Sequence, residues 1–175
     1  RQRQMCIRDS PESMDGSWAG AMGQCQFMPT SFINYAIDFD GDGKKDIWDT
    51  VPDVLASAAN YLSSSNWNSN ETWGREVSIL NPIDESLITV SARKVDISKK
   101  LSTWSALGVR KLDGTKLPDV DINAYLVYPE GVNGRKYIVY ENFKTILKWN
   151  RSLFFGIAVG TPVSYTHLRA HETLL

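Results

Sequence analysis

Apolar residues recur at helical spacing in four stretches of the chain, which are separated by polar or glycine-rich segments. Thr50 can cap the second of these helices, and Gly108 can end the third in the left-handed conformation. The apolar face of the third helix is formed by Ile97, Leu101, Trp104 and Leu107. The pattern predicts α-helices over residues 30–37, 51–62, 96–107 and 142–157.

The pattern changes in the region that precedes the last predicted helix. Residues 122–128 and 136–140 are rich in tyrosine, valine and isoleucine, and a turn over residues 129–134 joins them. Aromatic and β-branched residues on both sides of such a turn are typical of a β-hairpin. The predicted fold class is therefore mainly α (α+β), with one small β-hairpin insert at about residues 121–140.

Length and charge exclude several classes of function. The 175 residues are enough for one domain, and 19 basic residues against 20 acidic ones leave no positive field that would attract a nucleic acid. No run of 18 apolar residues and no signal-peptide pattern occurs, so neither a membrane span nor a leader is predicted. The six tryptophans are unusual, and they suit either a packed core or a surface that stacks on sugar rings.

Both ends of the chain lack an amphipathic period and resemble translated sequencing adapters. We therefore interpret residues 1–9 and 161–175 as non-native tails and residues 10–160 as the genuine segment, with a real, frayed terminus as the alternative. Setting the tails aside removes His167, His171 and Cys6. Mechanisms that need a histidine base, a histidine metal ligand or an internal disulfide then lose their residues.

An acidic loop lies between the first two predicted helices, at residues 38–49. Counted from its first residue, carboxylates occupy positions 1, 3, 5, 9 and 12 and glycine occupies position 6, as in an EF-hand. A solvated acidic turn is the alternative, but five carboxylates so close together repel each other unless a cation offsets them. We predict one structural calcium ion, and because position 12 is not the usual bidentate glutamate we expect either weaker calcium binding or a tightened loop. The predicted ligands are Asp38, Asp40, Asp42, the Lys44 carbonyl, Asp46 and Asp49.

Residues 17–31 read Ser-Trp-Ala-Gly-Ala-Met-Gly-Gln-Cys-Gln-Phe-Met-Pro-Thr-Ser, which closely resembles the signature of the lytic murein transglycosylase B family, glycoside hydrolase family 103. In that family a helix and a single acidic calcium loop follow, in the order found here. The resemblance continues at residues 47–49, 57–62, 104–109 and 142–152, so it covers nearly all of residues 10–160. It implies a lysozyme-like lytic transglycosylase core with an EF-hand-like loop.

The resemblance implies cleavage of the β-1,4 bond between N-acetylmuramic acid and N-acetylglucosamine in peptidoglycan, with a 1,6-anhydro sugar as product. The expected partners are peptidoglycan glycan strands, in the periplasm or at the outer membrane of a Gram-negative bacterium. Membrane association is expected only through a lipid anchor outside this chain, and no organic cofactor is expected.

The resemblance also assigns residues to a sugar cleft. By position, Ser17 stands beside the catalytic acid, and Phe155 replaces a tyrosine that some members carry. Ordinary helix capping or backbone satisfaction is the alternative role for the two amide side chains, Gln26 and Asn150. The residues expected to bind the substrate are Ser17, Gln26, Phe27, Met28, Asn150 and Phe155.

The family's catalytic glutamate lies in a Gly-x-Glu-Thr or Gly-x-Glu-Ser segment upstream of the serine-glycine signature. Glu12 is the one carboxylate of the right type near Ser17, and we expect it to have a helix-start or surface role instead. The sequence therefore predicts an enzyme fragment that lacks its catalytic acid and is inactive as it stands. A non-catalytic, calcium-stabilised glycan-binding module is the competing hypothesis, while the single loop disfavours a calcium sensor.

Overall fold

The chain folds into two compact units in a computed structural model, which describes the backbone of residues 16–172 and the side chains of residues 16–162. The first unit ends at Trp67 and the second begins at Asn68. The length of the chain predicts one domain, whereas each of these units has its own helices and its own buried side chains. None of the helices in the described range is long and apolar enough to cross a membrane.

Two helices form the first unit, α1 (Pro29–Tyr35) and α2 (Val51–Ser64). Each has a proline at its amino-terminal end, where the fixed φ of proline suits the first helical turn. The Ser57 hydroxyl of α2 accepts a hydrogen bond of 2.9 Å from the N–H of Ile37. Because Ile37 lies just after the end of α1, this bond connects the two helices. The buried apolar side chains of this unit are Cys25, Phe27, Phe32, Ala36, Ile47 and Trp48.

A five-stranded antiparallel sheet lies at the centre of the second unit. The strands are β1 (Gly74–Ile79), β2 (Lys99–Lys100), β3 (Val109–Arg110), β4 (Asn123–Val127) and β5 (Lys136–Val139). Their order across the sheet is β2-β4-β5-β1-β3, so β5 is the middle strand. Leu126 of β4 pairs with Ile138 of β5.

Helices pack on both faces of this sheet. On one face, Trp104 of α3 (Leu101–Ala106) is fully buried and donates a hydrogen bond of 2.9 Å from its indole nitrogen to the Ala124 carbonyl. On the other face, where Tyr125 and Tyr137 lie, Lys144 of the helix at Glu141–Trp149 donates to the Tyr125 hydroxyl at 3.2 Å, and the ring of Trp73 lies 6.3 Å from that of Tyr137. The remaining helices are a 3-10 turn at Glu85–Leu87, α4 (Glu141–Trp149) and α5 (Leu153–Glu172).

Three predicted elements differ from the structure. The predicted hairpin is only the β4–β5 part of a larger sheet, in which β1 has no counterpart in the prediction and the two-residue β2 and β3 are too short to show a strand period. The predicted helix at residues 96–107 begins only at Leu101, because Lys99–Lys100 pair with β4 as β2, so Ile97 lies outside the helix. The predicted last helix is two helices, since Asn150 is extended at φ −140° and ψ 122°. The Ser152 hydroxyl accepts the N–H of Phe155 at 3.3 Å and so caps the start of α5.

Candidate functional site

The acidic loop at residues 38–49 folds around its own carboxylates. Asp38 accepts hydrogen bonds from the N–H groups of Gly41 at 2.7 Å and Gly43 at 2.9 Å. Both glycines have positive φ, 77° and 87°, which a residue with a Cβ rarely adopts. Local backbone groups therefore fix the direction of the Asp38 carboxylate.

The other predicted ligands also make local hydrogen bonds. Asp40 accepts from the N–H of Asp42 at 3.2 Å, and Asp42 accepts from the N–H of Lys44 at 2.8 Å. Asp46 accepts from the N–H of Asp49 at 3.1 Å. The side chains of Asp40, Asp42 and Asp49 are exposed. The loop is therefore a series of short turns, each closed by an aspartate.

Asp53, which lies outside the predicted ligand set, ties the two ends of the loop together. It stands in the first turn of α2 and is 1% exposed. Its two carboxylate oxygens accept hydrogen bonds of 2.8 Å from the N–H groups of Phe39 and Asp46. Oxygen atoms of Asp38, Asp40 and Asp53 lie within 4.8 Å of one another. The structure thus brings together two predicted ligands and one that the sequence did not suggest.

This group of three carboxylates fits a hard cation. Calcium prefers oxygen ligands, and converging carboxylates, one of them buried, repel each other unless a cation offsets them. Asp42, Asp46 and Asp49 are outside the converging group. Sequence reasoning missed Asp53 because the EF-hand pattern stops at its twelfth position. The available signal was an aspartate in the first turn of the next helix, where the helix dipole favours negative charge.

The glycine-rich segment before α1 forms a pair of tight turns, held by antiparallel bridges of Met22 with Gly16 and with Phe27. Ser17 closes the first turn, because its N–H donates to the Ala21 carbonyl at 2.7 Å and its hydroxyl accepts from the Ala21 N–H at 3.1 Å. The Ser17 hydroxyl is exposed and keeps its own hydrogen as a donor.

The second turn presents Gln26 in an unusual conformation. Its φ is 51°, in the left-handed region, and its side-chain amide donates to the Gly23 carbonyl at 2.8 Å. A cavity of about 500 Å³ opens beside the two turns. The residues that line it are Gly16, Ser17, Gly23, Gln24, Gln26, Trp48 and Asp49. Two of the predicted substrate residues, Ser17 and Gln26, therefore share one cavity.

The three residues that flank Gln26 and α1 differ in exposure. Phe27 is 1% exposed, and its ring lies 5.6 Å from that of Tyr61, whereas Met28 is 47% exposed. Cys25 is buried and donates from Sγ to the Val54 carbonyl at 3.4 Å. Burial raises the pKa of the Cys25 thiol to about 11, so the thiol is protonated at neutral pH and is not a nucleophile.

Asn150 and Phe155, the remaining predicted substrate residues, belong to the second unit. Asn150 is exposed at the carboxyl end of α4, and its carbonyl accepts the N–H of Ser152 at 2.8 Å. Phe155 is half-buried in the first turn of α5. Both therefore stand at the break between the last two helices, a position that a continuous helix would not provide.

General-acid cleavage of a glycosidic bond needs a carboxyl group whose pKa is raised. The pKa shifts of the exposed Asp84 and Asp113 go in the opposite direction, because hydrogen bonds from Ser86 and Thr115 lower them. Glu12 lies outside the described residues. Among the described residues, the site offers a hydroxyl, an amide and an acidic loop, which suit binding of a polar ligand.

Residues 6–162 match the family described as Transglycosylase SLT domain. The chain is 33% identical over 157 residues to the Membrane-bound lytic murein transglycosylase B of Escherichia coli (strain K12), which covers 87% of this chain and 39% of that protein. Among solved structures, SltB3 from Pseudomonas aeruginosa in complex with NAG-anhNAM-pentapeptide is 44% identical with a TM-score of 0.79, over 90% of this chain and 42% of that one.

Slt35 from Escherichia coli, solved in complex with calcium, is 29% identical with a TM-score of 0.67. The match covers 91% of this chain and 49% of Slt35. The chain therefore spans between about two fifths and one half of the length of these relatives.

Proposed function

Because the chain belongs to the Transglycosylase SLT domain family, we propose that it is a glycan-binding part of a lytic murein transglycosylase. In this proposal it binds peptidoglycan glycan strands and contributes to cleavage of the bond between N-acetylmuramic acid and N-acetylglucosamine. The product is a 1,6-anhydro sugar. The proposed location is the periplasm or the outer membrane of a Gram-negative bacterium.

The cavity shared by Ser17 and Gln26 carries this proposal. A hydroxyl donor and an amide are the groups that bind sugar hydroxyl and acetamido groups, and Trp48 adds an apolar surface to the same cavity. A relative that is 44% identical is solved with NAG-anhNAM-pentapeptide. The same class of ligand fits the hydroxyl, amide and ring found here. Phe27 and Met28, beside the cavity, are further proposed substrate residues of the first unit. Asn150 and Phe155 of the second unit are proposed as substrate residues on the family resemblance alone.

The proposed chemistry needs one carboxyl group in two successive roles. As an acid it protonates the leaving glycosidic oxygen, and as a carboxylate it then accepts the proton of the C6 hydroxyl, which attacks C1. Because the nucleophile belongs to the sugar itself, no second carboxylate is needed to activate water. The family's Gly-x-Glu-Thr or Gly-x-Glu-Ser segment does not occur in the 175 residues. The part of Ser17 and Gln26 is therefore to bind and orient the sugar.

We also propose that the acidic loop holds one structural calcium ion. Asp38, Asp40 and Asp53 supply carboxylate oxygens that already converge, and Asp42, the Lys44 carbonyl, Asp46 and Asp49 are the further ligands that the loop pattern offers. Calcium in this position supplies positive charge that offsets the repulsion between the carboxylates. A relative's structure in complex with calcium supports the assignment.

We keep as a second candidate function a non-catalytic, calcium-stabilised glycan-binding module, since the 175 residues hold no Gly-x-Glu-Thr or Gly-x-Glu-Ser segment. Both candidates require binding, so binding is tested first, by calorimetry of the chain with NAG-anhNAM-pentapeptide. We expect binding that Gln26→Ala weakens by at least tenfold, the loss expected for about 1.4 kcal/mol of hydrogen bonding. Binding that is absent, or unaffected by Gln26→Ala, contradicts the proposal.

Incubation with murein sacculi then separates the two candidates. We expect no 1,6-anhydro products from the 175-residue chain, and release of such products from a chimera in which the Gly-x-Glu segment of the Escherichia coli relative precedes residue 10. A chimera that binds glycan but releases no product favours the non-catalytic module. Turnover by the unmodified chain that disappears in Glu12→Gln would instead make Glu12 the acid.

A further inference from the structure

Gln24 connects the sugar cavity to the acidic loop within the first unit. Its backbone N–H donates to the Ile47 carbonyl at 2.8 Å, and its side-chain Nε2 donates to the Trp48 carbonyl at 2.6 Å. One residue thus holds two consecutive carbonyl groups of the loop. The side chain is otherwise exposed, so its contribution is these contacts and not the packing of a core.

The segment that Gln24 holds is firmly anchored. Ile47 is fully buried, and the ring of Trp48 lies 5.8 Å from that of Phe32 in α1. The Trp48 N–H donates to the Asp46 carboxylate at 2.9 Å, and the Asp46 N–H donates to Asp53 at 2.8 Å. An unbroken series of hydrogen bonds therefore runs from Gln24 to a carboxylate of the converging group.

The turn on the other side of Gln24 needs external support. Gln26 has φ 51°, which is unfavourable for a residue with a side chain and persists only where the surroundings impose it. Gly23 has φ 60°, and a Cβ there would lie 2.5 Å from the Ile47 carbonyl oxygen. The backbone at Gly23 therefore rests directly on the loop, and the conformation of Gln26 depends on where residues 47 and 48 lie.

We propose that Gln24 is a positioning residue that transmits the state of the metal loop to Gln26. A cation held by Asp38, Asp40 and Asp53 fixes the positions of residues 46–48. Because Gln24 is hydrogen-bonded to residues 47 and 48, it then restricts the conformation of the turn that carries Gln26. This inference rests on the proposed glycan site, because Gln26 is the sugar-binding residue that the coupling affects. Thermodynamic linkage then requires that calcium raises glycan affinity and that glycan raises calcium affinity by the same factor.

Amide hydrogen exchange of the 175-residue chain tests the coupling without any glycan. We expect exchange at Gln26 and Phe27 to be slower in calcium chloride than in a chelator. Gln24→Met should remove most of that difference, while calcium should still raise the melting temperature of the Gln24→Met variant. Methionine matches glutamine in shape but cannot donate to the Trp48 carbonyl. Asn34→Leu, on the exposed face of α1, is the matched control and should behave as the parent chain.

Gln24→Glu is a second test of the hydrogen bond to Trp48, because the variant keeps a polar side chain but places an acceptor against the Trp48 carbonyl. It should lose the calcium effect as Gln24→Met does. Exchange at Gln26 that does not respond to calcium in the parent chain, or that responds in both Gln24 variants as strongly as in the parent chain, overturns the proposal.

Calorimetry with NAG-anhNAM-pentapeptide extends the test to the sugar. The parent chain should bind at least about fivefold more weakly in chelator than in calcium, the lower end of the range for coupled sites. Gln24→Met in calcium should bind like the parent chain in chelator. Absence of binding in every condition contradicts the proposed function and leaves the exchange result to decide the coupling. Binding that ignores both calcium and Gln24→Met contradicts the coupling alone.

Discussion

Replacement of Asp53 by asparagine is the most direct test of how the acidic loop is held. The Asp53 carboxylate is 1% exposed and accepts from the N–H groups of Phe39 and Asp46, one on each oxygen. Asparagine keeps one acceptor but turns an NH₂ group toward the other N–H. The change therefore leaves one buried donor without a partner and removes one negative charge from the converging group.

Two separate losses follow from Asp53→Asn. An unsatisfied buried donor costs about 1–3 kcal/mol of unfolding free energy, whether or not a cation is bound. Calcium at a hundredfold excess over Kd adds about 2.7 kcal/mol to the parent chain, which the variant should largely lose. At about 2–4 °C per kcal/mol for a chain of this length, calcium should raise the parent melting temperature by roughly 5–11 °C.

Thermal unfolding by circular dichroism, in chelator and in excess calcium chloride, measures both losses. Asp49→Asn is the comparison variant, because Asp49 is exposed and outside the converging group, and as a further ligand at position 12 its asparagine still offers a side-chain oxygen. We expect the calcium-dependent rise to be largely lost in Asp53→Asn and largely retained in Asp49→Asn. The reverse order would refute the geometric reasoning and restore the twelve-position pattern, and a parent chain unaffected by calcium would refute the metal site itself.

Three further outcomes follow from the structure. Trp104→Phe leaves the Ala124 carbonyl without its indole donor and opens a small cavity, so the free energy of unfolding in urea should fall by about 2–4 kcal/mol. The control Trp18→Phe, at a fully exposed position, should change this free energy by less than about 0.5 kcal/mol. Asn142→Ala removes three hydrogen bonds to Asn68 and Glu71. Limited proteolysis should therefore cut the loop at residues 68–71 faster than in the parent chain, while the rate of cutting in the turn at residues 111–116 stays the same. Burial raises the pKa of Cys25 from 9.0 to about 11, so the folded chain favours the neutral thiol. The stability that the neutral thiol contributes is present below pH 9.0 and is lost as the pH rises toward 11. Between pH 8 and pH 10.5 the urea midpoint should therefore fall more in the parent chain than in Cys25→Ala.

Helical periodicity predicted the helices of the first unit but only part of the second unit. The predicted helix at residues 51–62 matches α2 closely, although Thr50 makes no side-chain capping bond and Asp53 lies in the first turn instead. In the second unit the apolar pattern runs through the break at residues 150–152, so periodicity alone could not separate α4 from α5. The two-residue strands exist because other strands offer them partners, and such pairing is a tertiary property.

The sequence was more informative about chemistry than about geometry at the site. Spacing within one loop indicated oxygen ligands, and the family resemblance indicated Ser17 and Gln26 before their shared cavity was seen. It could not indicate that Gln26 adopts a left-handed φ, because Gln26 belongs to a turn whose Gly23 and Gln24 contact Ile47, which is distant in sequence. Family patterns name residues by their order in the chain, whereas the support for those residues comes from segments distant in sequence.

The position of Asp53 links the proposed metal site to formation of α2. The carboxylate converges with Asp38 and Asp40 only when the first turn of α2 is formed, since that turn fixes the direction of its side chain. A cation that binds all three therefore favours the folded start of α2 as well as the loop. The first turn of α2 must form before the site is complete or together with it, so at the proposed site the energy of metal binding becomes stability of α2 as well as of the loop.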